Sequence, residues 1–217
     1  MRRSTGTASA TATLFALAST LGWDTQASAA TFGASWQFNE TSGVAIDSSG
    51  NGNSGTLQGG ITRTGTGYDF DGSTGYVSVP DSATLDPGSG NIALTVRFNV
   101  DPVPSGYDYD LVRKGLSTTS GGDYKAEVVF GGKGLCHFRG SKGSATITGG
   151  SGLETGTHTL KCVKTTSTVQ LLVDGSVKTT KSITVGSISN GSAVPLGAKP
   201  GDDFTNGFID SITITSS

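Results

Sequence analysis

The sequence is poor in charge, histidine and cysteine. Charged residues make up 15% of the 217 residues, against about 25% in an average domain. Two histidines, two cysteines and three glutamates (Glu40, Glu127 and Glu154) leave few groups for chemistry. These scarcities exclude zinc fingers and HExxH metal sites, and no phosphate-binding loop motif is present. The net charge of -2 argues against nucleic acid or an anionic membrane as partner, since both attract a surplus of lysine and arginine.

Glycine, in contrast, is abundant, with 34 residues, while hydrophobic residues reach only 34%. Glycine supplies the positive φ angles that hairpin turns need, and it disfavours helices. This balance is typical of an all-β protein with many turns. The length corresponds to one domain, or to one domain with an appendage.

Residues 1–29 have the features of a secretory signal peptide. Arg2 and Arg3 form a short basic region, Thr11 to Trp23 is an apolar run too short to cross a bilayer, and Ala27-Ser28-Ala29 is a small-residue cleavage motif. We therefore expect a secreted, extracellular domain over residues 30–217. No other segment is long or apolar enough for membrane insertion.

From residue 31 onward, the apolar residues recur with a period of two. In Asn91 to Val100, apolar side chains alternate with polar ones, which indicates a strand with one buried face. Val169 to Thr180 reads as a hairpin around Asp174-Gly175, a dipeptide suited to two positive φ angles. More than ten such segments and no helical pattern predict two packed antiparallel sheets.

The two cysteines lie in separate predicted strands. Alternation places Cys136 beside Phe138 and Cys162 beside Leu160, both on inward faces. Because export favours oxidation, we predict a Cys136–Cys162 disulfide across neighbouring strands, stabilising by roughly 3 kcal/mol. Two free buried thiols are the alternative.

Several short motifs occur in the order found in one known family. They are Trp36-Gln37-Phe38-Asn39-Glu40, Asp47 to Gly52, Phe70-Asp71-Gly72-Ser73, Leu111 to Gly115, Val173-Asp174-Gly175 and Gly207-Phe208-Ile209-Asp210. In these features the mature chain resembles a laminin G-like domain of the concanavalin A-like lectin/glucanase superfamily. The resemblance implies a two-sheet jelly-roll sandwich, sugar binding and a structural calcium ion.

One aspartate stands out as a candidate calcium ligand. Strict alternation puts Asp210 on the same face as Ile212 and Ile214, where a charged group is costly unless cations or donors meet it. Calcium prefers carboxylate and carbonyl oxygens. The resemblance points to the same region and suggests Asp71, Gly72 and the Asp47 loop as further ligands; an ordinary turn or an Asx-turn would also explain those residues.

No catalytic residue can be assigned. A retaining glycosidase on this fold would need carboxylates two residues apart on one strand, and no glutamate here has an acidic residue at that spacing. A polysaccharide lyase would need a histidine or tyrosine base and an arginine. His137 and Arg139 alternate onto one face, with Tyr124 near in sequence, so this reading stays open beside that of a polar surface row.

Candidate ligand contacts lie in a polar loop. Tyr107 and Tyr109 could stack on a sugar ring while Asp108 and Asp110 accept its hydroxyl hydrogens, although rings covering a strand end are an equal reading. We predict a non-catalytic carbohydrate-binding or adhesion module whose partner is an extracellular glycan. The alternatives are a polysaccharide lyase and a structural, protein-binding module; the oligomeric state stays open.

Overall fold

The computed structural model describes residues 32–217. The predicted signal peptide lies outside this range. The described chain forms fifteen strands and one short 3-10 helix, Ala83–Leu85. The strands are β1 (Gly33–Trp36), β2 (Thr56–Gln58), β3 (Ile61–Arg63), β4 (Tyr68–Asp71), β5 (Tyr76–Val79), β6 (Ile92–Val100), β7 (Asp108–Lys114), β8 (Asp123–Val129), β9 (Lys133–Gly140), β10 (Gly143–Gly149), β11 (His158–Lys164), β12 (Thr168–Val173), β13 (Ser176–Ser182), β14 (Val194–Leu196) and β15 (Asn206–Thr215).

The strands form two antiparallel sheets, as predicted. One has seven strands in the order β10-β9-β8-β7-β14-β5-β2, and the other has eight, β13-β12-β11-β6-β15-β4-β3, with β1 also paired to β15. Alternating apolar residues from both sheets fill one core between them, where Trp36 and Phe98 are fully buried. The fold is therefore the expected jelly-roll sandwich. Among residues 32–217, no helix is long and apolar enough to span a membrane.

The β12–β13 hairpin turns at the predicted dipeptide. Asp174 and Gly175 have φ angles of 50° and 77°, the left-handed pair that a tight hairpin turn requires. The Asp174 side chain also accepts a hydrogen bond of 2.8 Å from the backbone nitrogen of Thr159. The local sequence thus sets the register of this edge of the sheet.

Cys136 and Cys162 form the predicted disulfide. However, Cys136 lies in β9 of the seven-stranded sheet and Cys162 in β11 of the eight-stranded sheet, so the bond crosses the core instead of joining neighbouring strands. Both residues are fully buried. The disulfide therefore fastens the two layers of the sandwich to each other.

The predicted place of Asp210 in the core is wrong, because β15 contains a β-bulge. Phe98 pairs with Ile209 and Arg97 pairs with Ser211, which leaves Asp210 as the extra residue. The bulge reverses the alternation, so Ile209 and Ile212 face the core and Asp210 does not. Its carboxylate instead forms an ion pair with Arg97.

The disulfide generates the first prediction. In the double variant Cys136→Ala/Cys162→Ala, the free energy of unfolding should fall by about 3 kcal/mol, because the unfolded chain regains the freedom of a loop of about 27 residues. For a domain of this size, Tm should fall by roughly 6–12 °C in thermal denaturation. Reductant should lower the Tm of the wild type but not that of the variant. An unchanged Tm in the variant would contradict a stabilising role.

Candidate ligand-binding groove

Two adjoining cavities lie beside the outer face of the seven-stranded sheet. The loop cavity, of about 570 Å³, lies at the start of β7 beneath residues 201–204. The sheet cavity, of about 520 Å³, lies over β7, β8, β9 and β10. Asp108 and Asp203 line both cavities, so the two adjoin, and we refer to the pair as the groove.

Strand alternation explains why the floor of the groove is polar. In β8, Tyr124 and Ala126 face the core, so Asp123, Lys125 and Glu127 face outward. In β9, Cys136 and Phe138 face the core and three residues face outward: Leu135, His137 and Arg139. The register places Lys125 opposite His137 and Asp123 opposite Arg139. One polar row therefore crosses neighbouring strands.

His137 and Arg139 share this face, where other protein groups surround their polar atoms. His137 Nδ1 lies 2.7 Å from the hydroxyl of Thr146, and Nε2 lies 3.0 Å from an Asp123 oxygen. Arg139 donates to the other Asp123 oxygen at 2.5 Å and to the carbonyl of Thr119 at 2.6 Å. The Arg139 contacts hold that side chain in place. Thr146 occupies Nδ1 of His137, whereas Nε2 makes no hydrogen bond but is buried, so neither ring nitrogen is exposed to a ligand as a base.

Tyr124, the third member of the lyase hypothesis, does not belong to this face. Its ring is fully buried in the core, and its hydroxyl donates a hydrogen bond of 3.0 Å to the carbonyl of Leu85. Burial raises the pKa of Tyr124 well above its usual value, and the nearby Asp86 and Asp81 charges act in the same direction. Nearness to His137 in sequence was misleading here, because alternation sends the two side chains to opposite faces.

Tyr107 and Tyr109, predicted together, have different environments. Tyr107 is 59% exposed and lines the loop cavity. Tyr109 is only 4% exposed, and its hydroxyl donates to the carbonyl of Pro102 at 3.2 Å. Tyr109, in strand β7, also lines the loop cavity but packs mainly into the core, so it offers a ligand far less ring surface than Tyr107.

Asp110 also has no access to a ligand, because its side chain is completely buried. It lies opposite Glu127 in the β7–β8 register, and Glu127 is equally buried. Arg113 Nε lies 3.0 Å from Asp110 Oδ2, and Lys125 pairs with Glu127. Burial, and after it the charge of Glu127, raise the pKa of Asp110 well above its usual value. A proton on Asp110 supplies the donor that two acceptor-only carboxylates lack.

Asp110 and Glu127 meet across two strands, so the spacing of carboxylates along one strand does not reveal this buried pair. The signal that could have revealed it is the outward phase of both residues in adjacent strands predicted to pair. Without exposed area, however, the pair cannot reach a sugar as acid and nucleophile.

Of the two predicted acidic ligand residues, Asp108 lines the groove and Asp110 does not. Burial raises its pKa to about 6, helped by a hydrogen bond to Asp203 and by the charge of Glu127. Asp203 adopts a left-handed conformation with φ of 45°, which is uncommon outside glycine. Lys199 holds this loop by donating at 2.7 Å to both Asp202 and Asp203, and these bonds raise the pKa of Lys199.

The predicted calcium ligands do not form one oxygen cage. The Asp47 carboxylate accepts three backbone hydrogen bonds of 2.9 Å, from Ser35, Ser49 and Asn53. In the same way, the Asp71 carboxylate caps the turn that follows it, accepting from the backbone nitrogens of residues 73–75.

The remaining ligands are separated by the strand register. Asp71 lies opposite Asn206, four residues before Asp210 in β15, a distance of about 13 Å along the strand. Gly72 instead donates a backbone hydrogen bond of 3.0 Å to Thr205. Within residues 32–217, no cluster of three or more His, Cys, Asp or Glu side chains is arranged to hold a metal ion. The four proposed residues therefore do not fit a shared calcium ion.

Residues 71–217 match the Laminin_G_3 family model, described as concanavalin A-like lectin/glucanases superfamily. The chain belongs to this family. The membership agrees with the two-sheet architecture and with the resemblance noted in the sequence motifs. No curated protein sequence matches the chain.

Solved structures with the same fold include receptor-binding domains. The binding domain of botulinum neurotoxin DC in complex with SialylT is 10% identical, with a TM-score of 0.66 over 85% of this chain. The same domain in complex with rat synaptotagmin II is 9% identical, with a TM-score of 0.66 over 85% of this chain. The binding domain of Paraclostridial Mosquitocidal Protein 1 is 15% identical, with a TM-score of 0.66 over 86%.

The chain spans about half of each of these domains, 48% of their length. Because the sequence identity is so low, the structural similarity shows only that the folds are alike.

The raised pKa of Asp108 generates the second prediction. Between about pH 4 and pH 6 the folded protein keeps a proton that the unfolded chain releases, so this group makes the protein less stable as pH rises through that range. Asp108→Asn should therefore stabilise the protein at pH 7.5 by about 1 kcal/mol after allowance for solvent screening, which raises Tm by a few degrees. At pH 4 the same substitution should change Tm little.

Asp174→Asn is the matched control with the opposite sign, since a hydrogen bond from His158 lowers the pKa of Asp174. That variant should lose stability at both pH 7.5 and pH 4, because the stabilisation from a lowered carboxyl pKa disappears only as pH falls below about 4, through the folded pKa. If Asp108→Asn instead changes Tm equally at both pH values, Asp108 does not retain a proton in the folded protein.

Proposed function

We propose that this chain is an exported, non-catalytic module that binds an extracellular glycan in the groove. The observation that carries the proposal is the open, polar groove with the exposed ring of Tyr107 at one end. Sugars combine faces of C–H groups, which pack on aromatic rings, with hydroxyls that donate to carboxylates and accept from amines and amides. The groove offers both kinds of contact.

The polar side chains of the groove can recognise hydroxyls without moving. Lys125 and Lys199 present partly exposed ammonium groups, with side chains 24% and 33% exposed. Asn206 lines the loop cavity, and its amide donates to Asp101 at 3.1 Å. Because salt bridges and strand backbone hold these groups, little side-chain freedom is lost when a ligand binds.

Binding without turnover is favoured by the state of the acidic and basic groups. The adjacent carboxyls, Asp110 and Glu127, have no exposed area. Both ring nitrogens of His137 lie against Thr146 and Asp123. Turnover would need an acid and a base within reach of the scissile bond. At the position where the sequence suggested a lyase base, His137 Nε2 is buried and has no contact with solvent.

Export is part of the proposal. It is supported by the signal-like residues 1–29 and by the disulfide, which persists in oxidising compartments. The SialylT complex of the neurotoxin domain favours a glycan as partner. The synaptotagmin complex favours the second candidate, a protein-binding module.

The third prediction tests the glycan proposal with the exposed ring. The wild type should be retained on a polysaccharide array, without releasing reducing or unsaturated ends. Tyr107→Ala should weaken retention by about 1 kcal/mol, roughly fivefold in Kd, because one face of a bound sugar loses its aromatic contact. Tm should barely change, since the ring is largely solvent-exposed.

Phe130→Ala is the matched control, because Phe130 is equally exposed, at 59%, and lines neither cavity of the groove. It should leave retention unchanged. Equal losses for the two variants would indicate nonspecific adhesion. Release of unsaturated ends, lost in His137→Ala, would replace the binding module with the lyase.

A further inference from the structure

Lys164 has a buried ammonium group at one end of the sandwich. It is the last residue of β11 and follows Leu160 and Cys162 in the inward phase, so its side chain points between the two sheets. The residue is only 1% exposed. Its ammonium group donates one hydrogen bond, of 2.7 Å, to the carbonyl of Gly90. The other two hydrogens of the ammonium group have no acceptor among the described residues.

Lys114 shows how this chain accommodates a buried lysine that has internal counterions. It is 0% exposed, and its ammonium group pairs with Asp81 and, at 3.4 Å, with Asp86. Lys164 differs, because burial alone lowers its pKa and no neighbouring charge acts on it. Within residues 32–217, no carboxylate lies within ion-pair distance of Lys164. A buried ammonium group without a counterion destabilises the fold, so Lys164 lacks a charge partner.

A cavity of about 270 Å³ lies against Lys164, and we call it the lysine cavity. A second lysine, Lys142, lines it from the turn between β9 and β10 of the other sheet. None of the described residues around it is aspartate or glutamate. The other polar side chains of the lining are hydroxyls, those of Ser89, Ser141, Thr166, Thr184 and Ser187. The lysine cavity thus offers two positive charges and several hydroxyl donors, with no opposing carboxylate.

Backbone hydrogen bonds hold the rim of the lysine cavity. Ser141 donates to the carbonyl of Ser187, and Lys142 donates to that of Val185, both at 2.9 Å. Gly186 lies between these two acceptors with a φ of 84°, which glycine adopts readily. The Ser141 hydroxyl accepts a bond of 3.0 Å from the Ser187 nitrogen, which leaves its hydrogen available to a ligand. The donors are therefore in place before a ligand binds.

We propose that the lysine cavity binds a tetrahedral oxyanion, sulfate or phosphate, as the free ion or as the charged group of a sugar ester. The anion supplies the charge partner that Lys164 lacks, and it accepts hydrogen bonds from Lys142 and from the hydroxyls of the lining. Because the donors come from several separate segments, they suit an anion with four oxygens better than a planar carboxylate with two. Two ammonium groups also balance a divalent anion.

The lysine cavity is a separate site from the groove, since no residue lines both. Its volume is that of about nine water molecules, which leaves room beside the ion for part of a sugar. The inference therefore does not depend on the proposed glycan-binding function, and either one can fail alone.

The test, our fourth prediction, is thermal denaturation of the protein at pH 7 while sulfate or phosphate replaces chloride at constant ionic strength. Tm should rise and then saturate at about millimolar anion, because only the folded protein holds the ion. General stabilisation by sulfate, which is excluded from protein surfaces, does not saturate in this range. N-acetylglucosamine 6-sulfate should act at lower concentration than free sulfate if the ligand is an ester, and at equal or higher concentration if it is the free ion. Unsulfated N-acetylglucosamine should give no rise that depends on Lys164.

Variants of the two lysines locate the effect. Lys142→Ala, at an exposed turn, should weaken anion affinity about fivefold, because one ammonium group is lost from beside the ion. Lys164→Met should abolish the saturable rise, and its Tm without anion should equal or exceed that of the wild type, since an uncompensated charge is removed. Lys114→Met should instead lower Tm, because Asp81 and Asp86 lose their partner.

Lys133→Ala is the matched control, since Lys133 is exposed at the opposite end of β9 from the turn that holds Lys142. It should leave the anion response unchanged. The absence of a saturable rise with both anions in the wild type would overturn the inference. So would a rise that Lys142→Ala and Lys164→Met leave intact. If Lys164→Met does not fold, the comparison of Lys142→Ala with Lys133→Ala decides the question.

Discussion

The structure depends on the burial of charged side chains on the outer face of β7 and β8. In most antiparallel sheets one face packs on the core and the other meets water. Here the middle of the seven-stranded sheet is buried on both faces, and Asp110, Arg113 and Glu127 lie beneath the outer surface. Buried charges are tolerated only when they are paired or neutralised. Both solutions occur here: Arg113 pairs with the carboxyls, and the pKa of Asp110 is raised so that it keeps a proton.

The segment of residues 197–205 packs beside β7, and several of its residues line the groove. Residues 197–205 are tied to β7 by backbone bonds, with Gly197 donating to Leu111 and Asp110 donating to Asp203, at 2.9 and 3.2 Å. The Thr205 hydroxyl adds a bond of 3.1 Å to the carbonyl of Asp110. The same segment brings Asp203 and Lys199 beside Asp108. This one segment therefore contributes both to the lining of the groove and to the raised pKa of Asp108.

Much of the fold follows from period-two alternation and turn chemistry. The alternation predicts β6, and Asp174-Gly175 predicts the β12–β13 turn. Inward phases also predict that Cys136 and Cys162 pair, although not that they join different sheets, because the order of strands is set by long-range contacts.

The predictions that were wrong, those of the environments of Asp210 and Asp110, fail because of features that alternation along one strand does not reveal. Asp210 lies in a β-bulge, which shifts alternation by one residue and leaves no clear mark in a single sequence. Asp110, predicted to lie in a polar loop, is instead a β7 residue with a completely buried side chain, and its backbone bonds to Asp203 and Thr205, which are distant in the chain. Of the predicted ligand residues, Tyr107, Asp108 and Tyr109 line the loop cavity, where the chain enters β7. Tyr109 alternates inward.

The central claim is that Asp108 keeps a proton at the junction of a glycan-binding groove. Carbon-13 NMR of the carboxyl groups, titrated from pH 3 to pH 8 with and without the bound oligosaccharide, tests it most directly. The account predicts an aspartate resonance that titrates near pH 6, disappears in Asp108→Asn and moves when the sugar is added. If the resonance assigned to Asp108 titrates near pH 4 and stays unmoved by the sugar, the claim is wrong.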